Sequence, residues 1–177
     1  KVGEPQIIKI TSRDPALPPI DYVKSSGGMF LDMTIHDFDM ARFMVSGKVV
    51  SIFAVGRNLI DHNFGIAGDI DTAVVTITFD SGTIVNIDNS RRAVYGYDQR
   101  VEVFGPFGLY KLDNQVDTTI EHYDPNGSTY SKMNHSFSQR YKEAYLRELD
   151  YFYKMIKDNY APLVEEHHLL LTKKLCN

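Results

Sequence analysis

Two residues of this chain have types and a spacing that could carry out acid–base chemistry, Asp32 and His36. On a helix, side chains four positions apart lie on one face, so this pair could touch or face one ligand. An imidazole beside a carboxylate suits a general base that removes a proton from a hydroxyl group. The same spacing occurs by chance in helices as a solvent-facing pair or a helix-start cap. The spacing alone therefore leaves both interpretations open.

The neighbouring residues favour a partly buried pair. Gly27-Gly28 comes just before the segment and allows close backbone approach, and the pair is interspersed with apolar residues such as Phe30 and Phe38. Asp37 and Asp39 are interpreted as charged side chains on the face of the helix. A metal site at His36, Asp37 and Asp39 is disfavoured, because adjacent helical side chains diverge by about 100°.

The elements that must position this pair are a helix and the strands around it. Periodicity and turn signals predict a helix over residues 30–45 and another over residues 139–158. Alternating apolar residues predict strands in the segments 6–12, 49–58, 71–79, 83–90, 100–104, 108–112 and 118–123. A proline-rich stretch, residues 15–19, predicts an extended loop. This order indicates an α+β fold, with helices on one face of a mostly antiparallel open sheet.

Composition limits the functional classes. The chain has 177 residues, of which 43% are hydrophobic and 24% are charged, as in one globular domain. The net charge of −4 and the scattered basic residues argue against nucleic acid or an anionic membrane as partner. No apolar run approaches the roughly 20 residues that span a bilayer. One cysteine, Cys176, excludes an internal disulfide and fits a reducing compartment such as the cytoplasm.

The segment around the pair, SGGMFLDMTIHDFDMARF at residues 26–43, is similar to the substrate-domain signature of a known enzyme family. This is the glucose–fructose oxidoreductase, inositol dehydrogenase and rhizopine-catabolism family, and the inositol dehydrogenases resemble the chain most closely within it. Segments 11–15, 68–73 and 95–100 agree with that subgroup in order and spacing. The resemblance covers about residues 1–158, a substrate-binding and oligomerisation domain, whereas the tail 159–177 departs from it.

The resemblance implies a fold and a mechanism. The fold would be that of the dihydrodipicolinate-reductase-like C-terminal domain. His36 would be the general base on a ring hydroxyl group, and Asp32 would orient it. Ser12, Asp14, Tyr95 and Tyr97 would lie near the substrate, where Arg13 could donate to its hydroxyl groups. Each of these also has a structural interpretation: a turn-forming Asp14, tyrosines in sheet packing, and an Arg13 paired with a surface acid.

The same resemblance implies parts that this sequence does not contain. No G-x-G-x-x-G run is present. The family's catalytic Lys, in a Glu-Lys-Pro motif, would lie upstream of Lys1. We therefore expect the Rossmann domain to be missing from this chain, NAD to be bound by that domain, and the chain alone to be catalytically incomplete. NADP is not excluded, because the residues that read the ribose belong to the missing half.

The resemblance thus implies the substrate domain of an NAD-dependent inositol 2-dehydrogenase-like oxidoreductase that converts a ring secondary alcohol of myo-inositol to a ketone. Semi-apolar outward positions in the strands, such as Val75 or Ile77 against Thr76 and Thr78, suggest a homodimer or homotetramer through the sheet face. Two alternatives stay open: a non-catalytic binding or oligomerisation module, and a related dehydrogenase for another sugar. A nucleotide-binding domain and a Glu-Lys-Pro motif encoded upstream would distinguish the enzyme from the module.

Overall fold

The computed structural model describes residues 2–162 and 166–176, and its main feature is a six-stranded sheet. The strand order is β2-β3-β4-β1-β5-β6. All neighbouring pairs are antiparallel except β1 and β4, which are parallel. The strands are β1 (Ile7–Arg13), β2 (Val49–Arg57), β3 (Thr72–Phe79), β4 (Ile84–Ser90), β5 (Asp98–Gly105) and β6 (Gly108–Leu112). The predicted α+β fold with a mostly antiparallel sheet is confirmed.

The helices are α1 (Ile20–Ser26), α2 (Ile35–Met44), α3 (Asn63–Ile66), α4 (Phe137–Arg140), α5 (Lys142–Asp158) and α6 (Glu166–Lys174). A π-helical turn, Phe30–Thr34, leads directly into α2. The sequence predicted one helix over 30–45 and an extended loop over 15–19. It assigned no helix to the segment between them, where α1 begins immediately after Pro19. In the described part of the chain, no helix is long and apolar enough to cross a bilayer.

The core lies between α2 and one face of the sheet. Alternation along β3 turns Val75 and Ile77 inward, where both are fully buried, and leaves Val74 on the opposite, exposed face. The prediction that Val75 and Ile77 point outward is therefore wrong. The core cluster consists of Ile8, Ile10, Phe38, Ala41, Val45, Val75, Ile77, Phe79, Val85 and Ile87.

The C-terminal third differs from the predicted pattern in two ways. The strand predicted at 118–123 belongs to a separate two-stranded sheet, β7 (Glu121–Asp124) with β8 (Gly127–Tyr130), and not to the main sheet. The second predicted helix forms as α4 and α5, but the apolar stripe of α5 has no buried residue. An amphipathic pattern predicts a helix that has an apolar face, and it does not identify what covers that face.

The end of the chain packs back on α2. Thr172 of α6 accepts a hydrogen bond from Arg42 and donates one to Asp39, at 2.8 and 3.1 Å. Leu175 and Cys176 pack against the core cluster. The boundary predicted between a domain at 1–158 and a tail at 159–177 stays a prediction.

Candidate active site

The candidate site is a cleft of about 840 Å³ where β1 and β4 end, and α2 and α5 contribute residues to its lining. Side-chain alternation explains why the cleft is polar. Along β4 and the residue pair that follows it, Val85, Ile87, Asn89 and Arg91 are all buried, so the apolar face becomes polar at the strand end. The same change occurs along β1, where Ser12 follows Ile8 and Ile10 on the buried face. The ends of two parallel strands, β1 and β4, therefore place polar side chains together in the cleft.

Five of the seven predicted site residues line this cleft: Ser12, Asp14, Asp32, His36 and Tyr97. His36 is exposed at its wall, and Asp32 and Asp14 are partly buried. Burial raises the pKa of Asp14, and the negative charge of Asp32 adds to this, whereas the nearby guanidinium of Arg91 opposes it. The cleft is therefore a place where carboxylates, an imidazole and hydroxyl groups share a restricted space.

The other two predicted residues, Arg13 and Tyr95, lie elsewhere. They line a separate depression of about 460 Å³, where Arg13 donates to Asp88 at 2.7 Å and to the Tyr95 hydroxyl at 3.0 Å. Tyr95 in turn donates to Asp98 at 2.7 Å. Successive residues of a strand face opposite sides, so Arg13 leaves the sheet on the face opposite to Ser12. Nothing in the geometry brings these two side chains toward the cleft.

Asp32 is held by partners that the sequence did not suggest. Its Oδ2 accepts a hydrogen bond from Arg91 Nη1 at 2.6 Å, and its Oδ1 accepts one from the Tyr22 hydroxyl at 2.5 Å. Within residues 2–162 and 166–176, no hydrogen bond or ion pair joins Asp32 to His36. The π-helical turn contains Asp32 but not His36, so the two do not have the regular four-residue relation of one α-helix.

The start of the π-helical turn is fixed by a loop from the 68–73 segment. Asp69 Oδ1 accepts the backbone N–H of Met29 at 2.9 Å. Gly27 and Gly28 both have positive φ, of 88° and 86°, which other residues adopt only with strain. A Cβ on Gly28 would lie 3.2 Å from Asp69 Oδ1. At Gly28 the backbone therefore approaches the Asp69 carboxylate closely, as expected for a glycine at this position.

Below the cleft, Asp37 takes part in a buried polar network. The sequence assigned it to the helix face as a charge, and this was wrong, because the residue is 4% exposed. Its oxygens lie 2.5 Å from Ser12 Oγ and 2.7 Å from the Asn89 amide. Burial raises the pKa of Asp37 to about 6, although the bonds from Ser12 and Asn89 oppose the shift. Asp39, by contrast, is exposed, as predicted for a helix-face charge.

Sequence reasoning also missed other residues of the cleft. Arg91, Tyr22, Gln99, Tyr141, Tyr145 and Glu148 all contribute to its lining. For Arg91 a signal existed: continuing the period-two alternation of β4 by two residues beyond Ile87 and Asn89 places it on the inner face. For Tyr22 and the α5 residues no local pattern could reveal the contact, because it depends on how separate elements pack.

Comparison with known proteins gives a consistent family. Residues 1–111 match the family model of the GFO/IDH/MocA C-terminal domain. The chain is 52% identical, over 163 residues, to a myo-inositol 2-dehydrogenase of Thermotoga maritima, and the match covers 92% of this chain and 49% of that protein. It is 32% identical to a Bacillus subtilis scyllo-inositol 2-dehydrogenase (NAD(+)) over 94% of this chain and 48% of that protein.

The fold agrees with solved structures. A putative myo-inositol dehydrogenase from Sinorhizobium meliloti superposes with a TM-score of 0.95 at 43% identity, and the match covers 99% of this chain and 53% of that chain. The chain thus spans about half the length of the relatives that it matches.

Proposed function

Because the chain belongs to the GFO/IDH/MocA family, as the C-terminal domain of its oxidoreductases, we propose that it is the substrate domain of an inositol 2-dehydrogenase. The proposed reaction oxidises one ring secondary alcohol of myo-inositol to a ketone. The observation that carries this proposal is the cleft, which combines an exposed imidazole, four carboxylates and several hydroxyl groups near the ends of β1 and β4. Relatives named as inositol dehydrogenases support the substrate class.

The polar groups of the cleft suit a polyol. Ring hydroxyl groups both donate and accept hydrogen bonds, so they can donate to Asp14 and Asp32 and accept from Tyr97. Burial raises the pKa of the Tyr97 phenol, so this hydroxyl keeps its proton for donation at neutral pH. A cyclic hexahydroxy compound offers such groups in several directions, which matches a cleft lined from several elements.

His36 is the proposed base. Its imidazole lies at the exposed wall of the cleft, where it can accept the proton of the reacting hydroxyl group. The hydrogen on the same carbon then leaves as a hydride, with the electron pair of its bond, and the carbon–oxygen double bond forms. Asp32, held by Arg91 and Tyr22, is proposed to orient the reacting hydroxyl group of the substrate toward His36. The proton ends on His36 and passes from there to solvent.

The cleft residues do not fit the phosphates of a dinucleotide. Asp14, Asp32, Asp39 and Glu148 line the cleft, and among the described residues Arg91 is the one lysine or arginine that does so. A pyrophosphate requires cations or a helix N-terminus preceded by glycines. We therefore propose that a separate nucleotide-binding domain holds the cofactor, and that this chain alone is inactive. When bound there, the nicotinamide supplies the hydride acceptor. The name of the Bacillus subtilis relative favours NAD over NADP.

Two further features belong to the proposal. The exposed face of the sheet carries apolar side chains, among them Phe53, which is 70% exposed, and Val74, which is 52% exposed. Such a face fits association of identical subunits, so we propose a homodimer or homotetramer. The single cysteine fits a cytoplasmic location.

The test is a turnover assay with the protein encoded by the complete reading frame that contains this chain. With myo-inositol and NAD, we expect reduced nicotinamide to form in proportion to ketone, and NADP to be used less efficiently. Other inositols and free sugars serve as a comparison panel. Activity confined to another sugar would contradict the proposed substrate. Polyol binding without cofactor reduction would contradict the proposed dehydrogenase activity and favour a binding module.

A further inference from the structure

One buried cation lies beneath the carboxylates of the cleft. The Arg91 side chain is 3% exposed, and its Nη1 lies 2.6 Å from Asp32 Oδ2 and 3.7 Å from Asp14 Oδ2. On the other side, its Nη2 lies 3.9 Å from Asp69 Oδ2. A buried charge is costly unless it is paired, so this guanidinium and its three acids stabilise one another.

The three acids come from three different segments. Asp14 directly follows β1, Asp32 belongs to the π-helical turn, and Asp69 lies in the loop before β3. Arg91 itself follows β4. The guanidinium therefore connects the ends of two parallel strands to the turn that carries Asp32. A fourth group, the Tyr22 hydroxyl of α1, reaches this cluster through Asp32.

The shortest contact of the guanidinium is to Asp32. Among the described residues, Arg91 Nε and Nη2 have no hydrogen-bond partner, and neither does Asp69 Oδ2. At 3.9 Å the Asp69 contact is an ion pair and is too long for a hydrogen bond. Both oxygens of Asp32, in contrast, accept a short hydrogen bond, from the buried Arg91 on one side and from the half-exposed Tyr22 on the other. The orientation of the Asp32 carboxylate is therefore fixed before substrate arrives.

The positive charge of Arg91 also offsets the repulsion between two neighbouring carboxylates, Asp14 and Asp32. Burial and the charge of Asp32 raise the pKa of Asp14, and the attraction of Arg91 lowers it again. Without this cation, Asp14 and Asp32 would face each other uncompensated, and the pKa of Asp14 would rise further. A protonated carboxyl group would no longer accept a hydrogen bond from substrate at that oxygen.

We propose that Arg91 is a positioning residue of the polyol-oxidising site, which fixes the orientation of the Asp32 carboxylate and offsets the negative charge that Asp32 and Asp14 present to each other. The inference rests on the proposed function and adds a residue to it. Arg91 acts through the two carboxylates, and its own nitrogens stay beneath the substrate.

The experiment compares Arg91→Met, Arg91→Lys and Arg92→Met in the full-length protein. Methionine keeps much of the side-chain length and removes the charge. Lysine keeps the charge but lacks the planar guanidinium group that binds Asp32. Arg92 is the matched control, because it is the next residue, is exposed and lies outside the cleft. The readouts are kcat, KM for myo-inositol, KM for NAD, and the pH profile of kcat/KM.

For Arg91→Met we expect kcat to fall at least tenfold and the acidic limb of kcat/KM to move to higher pH by about one unit, since Asp14 loses the cation that lowers its pKa. Arg91→Lys should restore the position of that limb while kcat stays below the wild type. KM for NAD should stay within twofold in every variant, and Arg92→Met should match the wild type.

Three outcomes would overturn the inference. If Arg91→Met matches Arg92→Met in kcat and pH profile, the proposed role of Arg91 is contradicted while the proposed function stays intact. If Arg91→Met does not fold, Arg91→Lys decides, and wild-type kcat in that variant contradicts the role of the fork. A wild-type protein that oxidises no polyol overturns the proposed function, and this inference with it.

Discussion

At the scale of single residues, Asp37 shows how proton count and burial combine beneath the cleft. Ser12 Oγ lies 2.5 Å from Asp37 Oδ1 and 3.0 Å from Gln99 Oε1, but one hydroxyl group can donate only one proton. Both contacts are hydrogen bonds if Asp37 is protonated and donates to Ser12, which then donates to Gln99. The pKa of about 6 makes this protonated form accessible in mildly acidic solution.

Asp37→Asn should mimic the protonated carboxyl group, because its amide can donate to Ser12 while its oxygen accepts from Asn89. The pKa of Asp37 is raised from 3.8 to about 6 by burial, so its contribution to stability is full below about pH 4 and is lost as pH rises through about 6. The shift corresponds to about 3 kcal/mol. We expect the free energy of unfolding of the variant to exceed that of the wild type by up to this amount at neutral pH.

Denaturant unfolding between pH 4 and pH 8 measures this difference, which should grow up to about pH 6 and then level off. Asp21→Asn, at a fully exposed carboxylate, is the control and should show no such growth. A variant less stable than the wild type at neutral pH would show that Asp37 is needed in its ionised form.

At the scale of elements, the junction of α1, the two glycines and the π-helical turn decides where Asp32 and His36 lie. The sequence predicted the strands of the main sheet to within a few residues, because their alternation and turns are local signals. It also predicted a helix that carries both residues. It could not predict the π-helical turn or the Arg91 and Tyr22 contacts, because these depend on the packing of β4 and α1 against the turn.

Gly28→Ala tests this junction against Gly82→Ala. Both glycines have nearly equal φ, 86° and 88°, so alanine causes similar backbone strain of about 1–2 kcal/mol at each. At Gly82 the added Cβ meets nothing within 4 Å, whereas at Gly28 it lies 3.2 Å from Asp69 Oδ1. Displacing Asp69 would break its bond to the Met29 N–H.

We therefore expect Gly28→Ala to lower the free energy of unfolding by at least about 1 kcal/mol more than Gly82→Ala, the cost of an unpaired buried group. Turnover in the full-length protein should fall for Gly28→Ala alone, because the turn that carries Asp32 shifts. Equal losses of stability in the two variants would show that Asp69 does not anchor the turn.

At the scale of the whole molecule, the residues that the structure describes leave two broad apolar surfaces uncovered. One is the stripe on α5, where Leu149, Phe152 and Ile156 are all more than half exposed. The other is the outer face of the sheet. The sequence predicted an amphipathic helix and a semi-apolar sheet face, but a single chain cannot reveal which partner covers them.

Val74→Glu tests the proposed association through the sheet. A carboxylate at the centre of an apolar subunit interface is strongly disfavoured, so the full-length variant should dissociate into monomers while the wild type is a dimer or tetramer. Light scattering measures the mass. Ser46→Glu, at an exposed position between α2 and β2, is the control and should keep the wild-type mass. A Val74→Glu protein of unchanged mass would contradict this interface.

His36 is the proposed base that removes the hydroxyl proton of the polyol, and steady-state kinetics of His36→Ala in the full-length protein test this role most directly. Removal of a general base costs about 10²–10⁴-fold in rate, so kcat with myo-inositol should fall by that factor, with NAD affinity unchanged and partial recovery in added imidazole. His62→Ala, at an exposed histidine outside the cleft, is the control. A His36→Ala enzyme that retains kcat within a few-fold of the wild type would contradict the account.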